Sequence, residues 1–401
     1  MDRIGLTIMS FAMVCACCGG GTSGGVDGSG VGPNADARPG NHDAGEPPAT
    51  TSGCGDTTLL EVPTHTAQRG PWPVGVRTVS VGALTVEVWY PAKFGSDAGK
   101  TPVRYDIRPQ LPASQQGMIS DSDNPWQDCD CYRDLELDTS HGPYPVVVFV
   151  HGTAAFRTQS LAQMTHWASR GFVVVAADHP GLKLADMLSF VCPDSASGSQ
   201  NLDADVDAML GALESPSGEL DFLADRIDMT RIGVVGHSAG GNAAGAASAK
   251  DGVRIVIPMA AGPTTDASGA LETSLFLGAD ADAVVSYSSV KSGYESSPSP
   301  KRFIGIGNTG HLAFSQLCEL TNTAGKNLVE VADAAGVCGV FLAGALYDCK
   351  DEYIAGPLAS EIVNYATSAA LESVLHCSGA AANFDALQSN YPEVVDHSDS
   401  L

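Results

Sequence analysis

The segment Ile232-Gly233-Val234-Val235 runs without a break into Gly236-His237-Ser238-Ala239-Gly240-Gly241. So short an apolar run reads as a buried strand, and a serine between glycines at its end demands a sharp turn. A Cβ at Gly236 or Gly240 would crowd the neighbouring backbone, so the glycines are a steric necessity. Beyond the turn, Asn242-Ala243-Ala244-Gly245-Ala246-Ala247 opens a helix of small residues. Strand, turn and helix together lift the Ser238 hydroxyl above a sheet, beside a helix amino end whose dipole favours negative charge. In a chain with 45 glycines the motif arises easily by chance. Its place directly behind a strand is what gives it meaning.

The surrounding pattern repeats that strand. Val146–Val150, Val173–Ala177, Ile255–Met259 and Phe303–Ile306 are continuous apolar runs, and Ser160–Arg170 between the first two has helical spacing. A further helical stretch carries Asp203, Asp205 and Asp207 at its start. Arg77–Tyr90 alternates like an antiparallel hairpin and is stopped by Pro91. Unbroken apolar strands alternating with helices predict an α/β fold, a mostly parallel twisted sheet with helices on both faces. Such sheets carry their chemistry at the carboxyl ends of the strands.

A serine hydroxyl at neutral pH needs a base, and the base needs an orienting carboxylate. Behind an elbow of this kind the chain order is serine, acid, histidine. Downstream of Ser238 the histidines are His311, His376 and His397. His397 falls in a polar tail and His376 beside Cys377 in a helical region, whereas His311 follows a strand and the turn Gly307-Asn308-Thr309-Gly310. His311 is therefore the candidate base. Asp282 is the candidate acid, with Asp280 in reserve, since both follow the short strand Leu275-Phe276-Leu277. Acyl transfer also requires donors for a tetrahedral oxyanion; the backbone N–H groups of Thr153 and Ala239 are the candidates. His151 and His179 are expected to fix their loops through hydrogen bonds, and His237 to form pocket wall.

The ends of the chain speak to its destination. Met1–Ala16 has an export signal's charge at Arg3 and a short apolar run, Ile4–Val14, too short to span a bilayer. Val14-Cys15-Ala16-Cys17 resembles a bacterial lipobox, which implies lipidation of Cys17. Residues 17–55, rich in Gly, Ser, Asp and Pro, read as a disordered tether. The folded domain is expected over 56–395, with an acidic insertion near 100–142 and a cysteine-bearing extension at 318–377. Past the anchor region eight cysteines remain (54, 129, 131, 192, 318, 338, 349, 377), an even number that suits disulfides in an oxidising compartment. Asp128-Cys129-Asp130-Cys131 lacks the paired spacing of a zinc site, so no metal is expected. A net charge of −25 tells against nucleic acid as a partner.

The segments GPWPVGVRTV, VEVWYPA, VVVFVHGTAAFRTQS, ASRGFVVVAADHPG, RIGVVGHSAGG and NTGHLAFSQLC, spread over most of residues 69–318, together resemble the α/β-hydrolases. The branch they resemble contains platelet-activating-factor acetylhydrolases, dienelactone hydrolase-like proteins and cutinase-type polyester hydrolases. The resemblance implies a carboxylic-ester hydrolase working through an acyl-enzyme without metal or organic cofactor, with Ser238 as nucleophile, His311 as base then acid, and Asp282 as orienter. Dienelactone hydrolases use cysteine where Ser238 stands. Polyester hydrolases usually carry an aromatic in place of Thr153 and methionine in place of Ala239, and acetylhydrolases usually have phenylalanine at the latter. Those departures move the expectation toward small or medium acyl esters, lipid-derived ones among them, met by an enzyme anchored to the cell envelope through its N-terminal lipid alone. A non-catalytic envelope binding protein, a polyester hydrolase and amide cleavage on the same triad are the alternatives. The extra segments at 100–142 and 318–377 are expected to form a disulfide-braced rim.

Overall fold

Every residue of Tyr144–Val150 is buried, as a strand covered on both faces requires. The computed structural model describes residues 48–192, 198–344 and 346–401; the export signal, Cys17 and most of the tether lie outside the described residues. Among the described residues ten strands share one sheet. They are β1 (Val74–Val81), β2 (Leu84–Pro91), β3 (Tyr132–Arg133), β4 (Tyr144–Val150), β5 (Val173–Asp178), β6 (Ile227–His237), β7 (Val253–Met259), β8 (Thr273–Ala279), β9 (Lys301–Ile306) and β10 (Val394–Ser400). The spatial order is β10-β9-β8-β7-β6-β4-β5-β2-β1-β3. From β9 through β5 all pairings are parallel; β2 turns antiparallel against β5, and β10 against β9.

The helices follow the crossovers. They are α1 (Leu161–Ser169), α2 (Leu184–Ser189), α3 (Leu202–Glu214), α4 (Ala239–Ala246), α5 (Tyr287–Ser296), α6 (Leu328–Ala334), α7 (Val340–Gly344), α8 (Gly356–Leu375) and α9 (Asn383–Asn390). Strand side chains alternate between faces, and the core divides accordingly. Val147 and Phe149 pack with Met164 and Trp167 of α1 and with Ile362, Val363 and Leu371 of α8. Val146 and Val148 pack with Val206 and Met209 of α3 and with Ala244 of α4. Between α1 and α8 the buried Arg170 guanidinium meets Glu372, at 3.1 Å for Nη2 to Oε2. It also donates to the carbonyls of Gln68 (2.5 Å) and Pro63 (2.9 Å). Removing one partner of so buried a pair would strand the other charge, costing about 3–5 kcal/mol. This is the α/β-hydrolase architecture, with helices on both sides of a mostly parallel sheet.

Several boundaries differ from the sequence reading. The tether's last residues are ordered: Thr50–Ser52 pair antiparallel with Thr58–Leu60, and Cys54 is bonded to Cys377 at the end of α8. Within the 100–142 insertion, Tyr132–Arg133 joins the main sheet beside β1, and Arg104–Tyr105 pairs with Gln127–Asp128. The 318–377 stretch is not all extension, because α8 within it is a core helix. The polar tail holding His397 is the edge strand β10, so the domain runs to Ser400 rather than 395. Its polarity misled because an edge strand buries little.

All eight cysteines among the described residues are paired, as Cys54–Cys377, Cys129–Cys131, Cys192–Cys338 and Cys318–Cys349. The Cys129 and Cys131 thiols are consumed by each other. Two of the bridges brace a cap. Leu111 and Ile119 of the insertion pack with Leu184 and Leu188 of α2, Val331 and Ala332 of α6, and Ala343 of α7. Beside them Ile107 meets Phe156, Leu312, Leu317 and Leu320.

Candidate active site

The turn after β6 is tight enough to dictate its residues. A Cβ on Gly236 would stand 2.1 Å from the Gly240 carbonyl oxygen, and one on Gly240 2.0 Å from that of Val150. Ser238 itself has φ 57° and ψ −117°, a left-handed backbone that costs a non-glycine residue about 1–3 kcal/mol. The amide N–H of Ser238 donates to the Met259 carbonyl at the end of β7 (2.9 Å), and its own carbonyl accepts from Asn242 N–H (3.2 Å). The serine is thus held half-buried at the sheet's carboxyl edge, with α4 starting at Ala239.

His311 follows β9 on the expected loop and is buried. Its Nδ1 lies 2.8 Å from Oδ2 of Asp282, whose side chain is almost wholly buried. The other oxygen of Asp282 accepts the backbone N–H groups of Val284 and Val285, each at 2.8 Å. Three donors thus fix this carboxylate, and one of them is the imidazole. Asp280 is placed differently: it is exposed, and its Oδ1 accepts from Thr309 N–H at 3.4 Å. It tethers the turn before His311 and does not reach the ring.

His237 ties the two halves together, and here the sequence reading needs correction. It is no pocket wall. Its ring is buried, its Nε2–H donates to the His311 carbonyl (2.8 Å), and it lies against the His311 ring with centroids 4.6 Å apart. Its Nδ1 is buried without a hydrogen-bond partner. Burial first, then the neighbouring His311 and His151, hold its pKa well below the usual histidine value. A neutral ring with the proton on Nε2 fits both nitrogens. Because His237 precedes Ser238, this bond brings His311 to the elbow.

On the other flank, Gly152 opens the loop after β4. A Cβ there would stand 2.9 Å from His237 Nδ1 and 3.2 Å from Ser238 Cβ, so this loop touches the elbow. The Gly152 N–H donates to Gln159 Oε1 (2.8 Å) and the Ala154 N–H to the Leu182 carbonyl (2.9 Å). Thr153 N–H, between them, has no hydrogen-bond acceptor among the described residues. Ala239 N–H opens a helix, where amides have no intrahelical partner. Both expected oxyanion donors thus have amides without a backbone acceptor among the described residues.

The remaining histidines near the strand ends are structural. His151 donates from Nδ1 to the Gly152 carbonyl (2.8 Å) and accepts His179 N–H on Nε2 (3.2 Å). Burial lowers its pKa to about 3. His179 Nδ1 lies 2.9 Å from Asp205 Oδ2 on α3. No cluster of three or more His, Cys, Asp or Glu suited to a metal occurs among the described residues.

Residues 135–329, just under half of the chain, match a family model described as PETase, PET hydrolase-like. No curated protein matches the chain. The matched stretch opens just before β4 and carries the elbow, Asp282 and His311. Fold and comparison agree: the chain has the α/β-hydrolase fold, and its residues 135–329 are similar to the PET hydrolase-like family.

Proposed function

We propose that the chain is a serine carboxylic-ester hydrolase that works through an acyl-enzyme. Ser238 Oγ attacks the ester carbonyl carbon while its proton passes to Nε2 of His311. Asp282, on the opposite ring nitrogen, fixes the tautomer and stabilises the imidazolium that forms. The tetrahedral oxyanion accepts from the N–H groups of Thr153 and Ala239, a contribution of about 3 kcal/mol per donor. Collapse expels the alcohol, which takes the proton from His311, and water repeats the sequence on the acyl-enzyme. The observation that carries this reading is His311, bonded to Asp282 at one edge and to the residue before Ser238 through its own carbonyl.

The test is turnover of p-nitrophenyl acetate by the chain lacking its first 47 residues. Ser238→Ala should lower kcat by about 10⁴-fold or more. Activity unchanged by that substitution would remove the site, and no activity on any ester would favour the binding-protein alternative. The family match favours a second reading, polyester cleavage; release of soluble products from a polyester film, absent in Ser238→Ala, would support it.

We propose further that the chain is exported and held at the cell envelope by lipid on Cys17. Pairing of all eight domain cysteines supports an oxidising compartment. Cys17→Ser should shift the full chain from the membrane to the soluble fraction; unchanged membrane association would refute the anchor.

A further inference from the structure

An apolar cleft opens in the cap. Ile107, Leu111, Leu184, Leu188, Ala343 and Tyr347 are among its walls. It is built from segments of both kinds that exceed a minimal hydrolase, the insertion and the cysteine-bearing stretch. We infer that this cleft binds the aliphatic acyl chain of the ester, which makes medium-chain acyl esters the substrate class. The inference rests on the serine-esterase reading and specifies its substrate.

Three observations converge. The first is that its walls touch the loops of the candidate site on two sides. The Tyr347 hydroxyl donates to the Ala154 carbonyl (3.0 Å), one residue past the oxyanion candidate Thr153, and Leu184 N–H donates to the Ala155 carbonyl (2.9 Å). On the other flank Ile107, Leu328 and Tyr347 pack with Leu312, the residue after His311. The second is charge. In a chain of net charge −25, no carboxylate lines the cleft, and Arg108, its one charged wall residue among those described, is neutralised by Asp106 (2.7 Å) and Asp121 (2.6 Å). A neutral, apolar occupant is what such a wall accepts. The third is the surface around it. Phe190 (67% exposed) and Val191 (51%) follow α2, and Phe341 (67%) lies on α7, the two helices that supply Leu188 and Ala343. Large apolar side chains left in water beside an apolar cleft mark a path for an apolar ligand.

The experiment compares p-nitrophenyl acetate, butyrate and octanoate. In the unsubstituted chain kcat/KM should rise about tenfold or more from acetate to octanoate. Leu188→Trp and Ala343→Phe, which fill the cleft, should lower octanoate turnover about tenfold while acetate turnover stays within about twofold. A profile flat or falling with chain length, or variants that depress all three esters equally, would overturn the assignment. Calorimetric binding of octanoate to Ser238→Ala, lost on adding Leu188→Trp, reads the cleft without turnover. Octanoate binding with no esterase activity would refute the serine reading and keep the cleft; turnover with octanoate no better bound than butyrate would do the reverse.

Discussion

His237 and Ser238 are neighbours in the chain with opposite requirements. The serine must reach a substrate; the histidine is sealed beneath it and donates to the carbonyl of His311, 74 residues away. His237→Phe keeps a buried ring and deletes that one N–H, leaving a buried carbonyl unpaired at a cost of about 1–3 kcal/mol. The expected outcome is kcat on p-nitrophenyl acetate reduced about tenfold, with KM little changed, because the base is displaced and the binding surface is not. His237→Gln, which can still donate, should recover part of the loss; equal losses in both variants would reduce His237 to simple packing. The placement of Ser238, His311 and Asp282 at strand ends, and the His311–Asp282 contact, were legible in the sequence because each closely follows an apolar strand. The role of His237 was not, since it depends on a partner that only the folded sheet supplies. A polar residue in the slot before the serine, where burial is obligatory, was the available signal. Asp282 and Asp280 differ in a way spacing cannot reveal: only the first is followed by two amides, those of Val284 and Val285, that fold back onto its carboxylate.

Among the elements, α2 and α7 are the least able to stand alone. At six and five residues neither is long enough to hold a helix in water, and each depends on tertiary contacts. Cys192–Cys338 joins the end of one to the approach of the other, across 146 residues of chain. The paired substitution Cys192→Ser with Cys338→Ser should therefore loosen the cap and spare the core. Hydrogen exchange should rise about tenfold or more at residues 184–192 and 338–344 and stay unchanged in α8, whose inward residues are buried in the main core. Equal acceleration in α8 would mean that cap and core open as one unit. The strands were legible as apolar runs, to within two or three residues at most ends. The cap was visible only as surplus length and cysteines, because short helices carry too few turns to show a period. β10 was hidden for a related reason: its sequence, Val394-Val395-Asp396-His397-Ser398-Asp399-Ser400, offers an edge strand's polarity and no continuous apolar face.

Across the whole molecule, buried neutral histidines make stability depend on pH. Burial lowers His151 and His376 from 6.5 to about 3 and holds His166 and His237 well below 6.5. An unfolded chain binds protons at these rings once pH drops below 6.5, whereas the folded chain refuses them. Unfolding then takes up protons, so the stability these groups contribute is complete above pH 6.5 and drains away toward pH 3. The carboxyls of Glu319 and Glu372, raised by burial, act in the opposite sense at the upper end of that range. A single histidine isolates the effect from them and from the falling net charge. His376 is stacked on Phe172 with ring centroids 4.2 Å apart and donates from Nε2 to the Gly171 carbonyl (3.2 Å). His376→Gln forfeits the stacking and should lower Tm at pH 7.5. It also removes a group that resists protonation in the fold, so the Tm deficit relative to the unsubstituted chain should narrow steadily as pH is taken from 6.5 to 4. A deficit that holds constant over that interval would show the His376 ring to be protonated as readily in the fold as in the unfolded chain, and its burial against Phe172 to be electrostatically neutral.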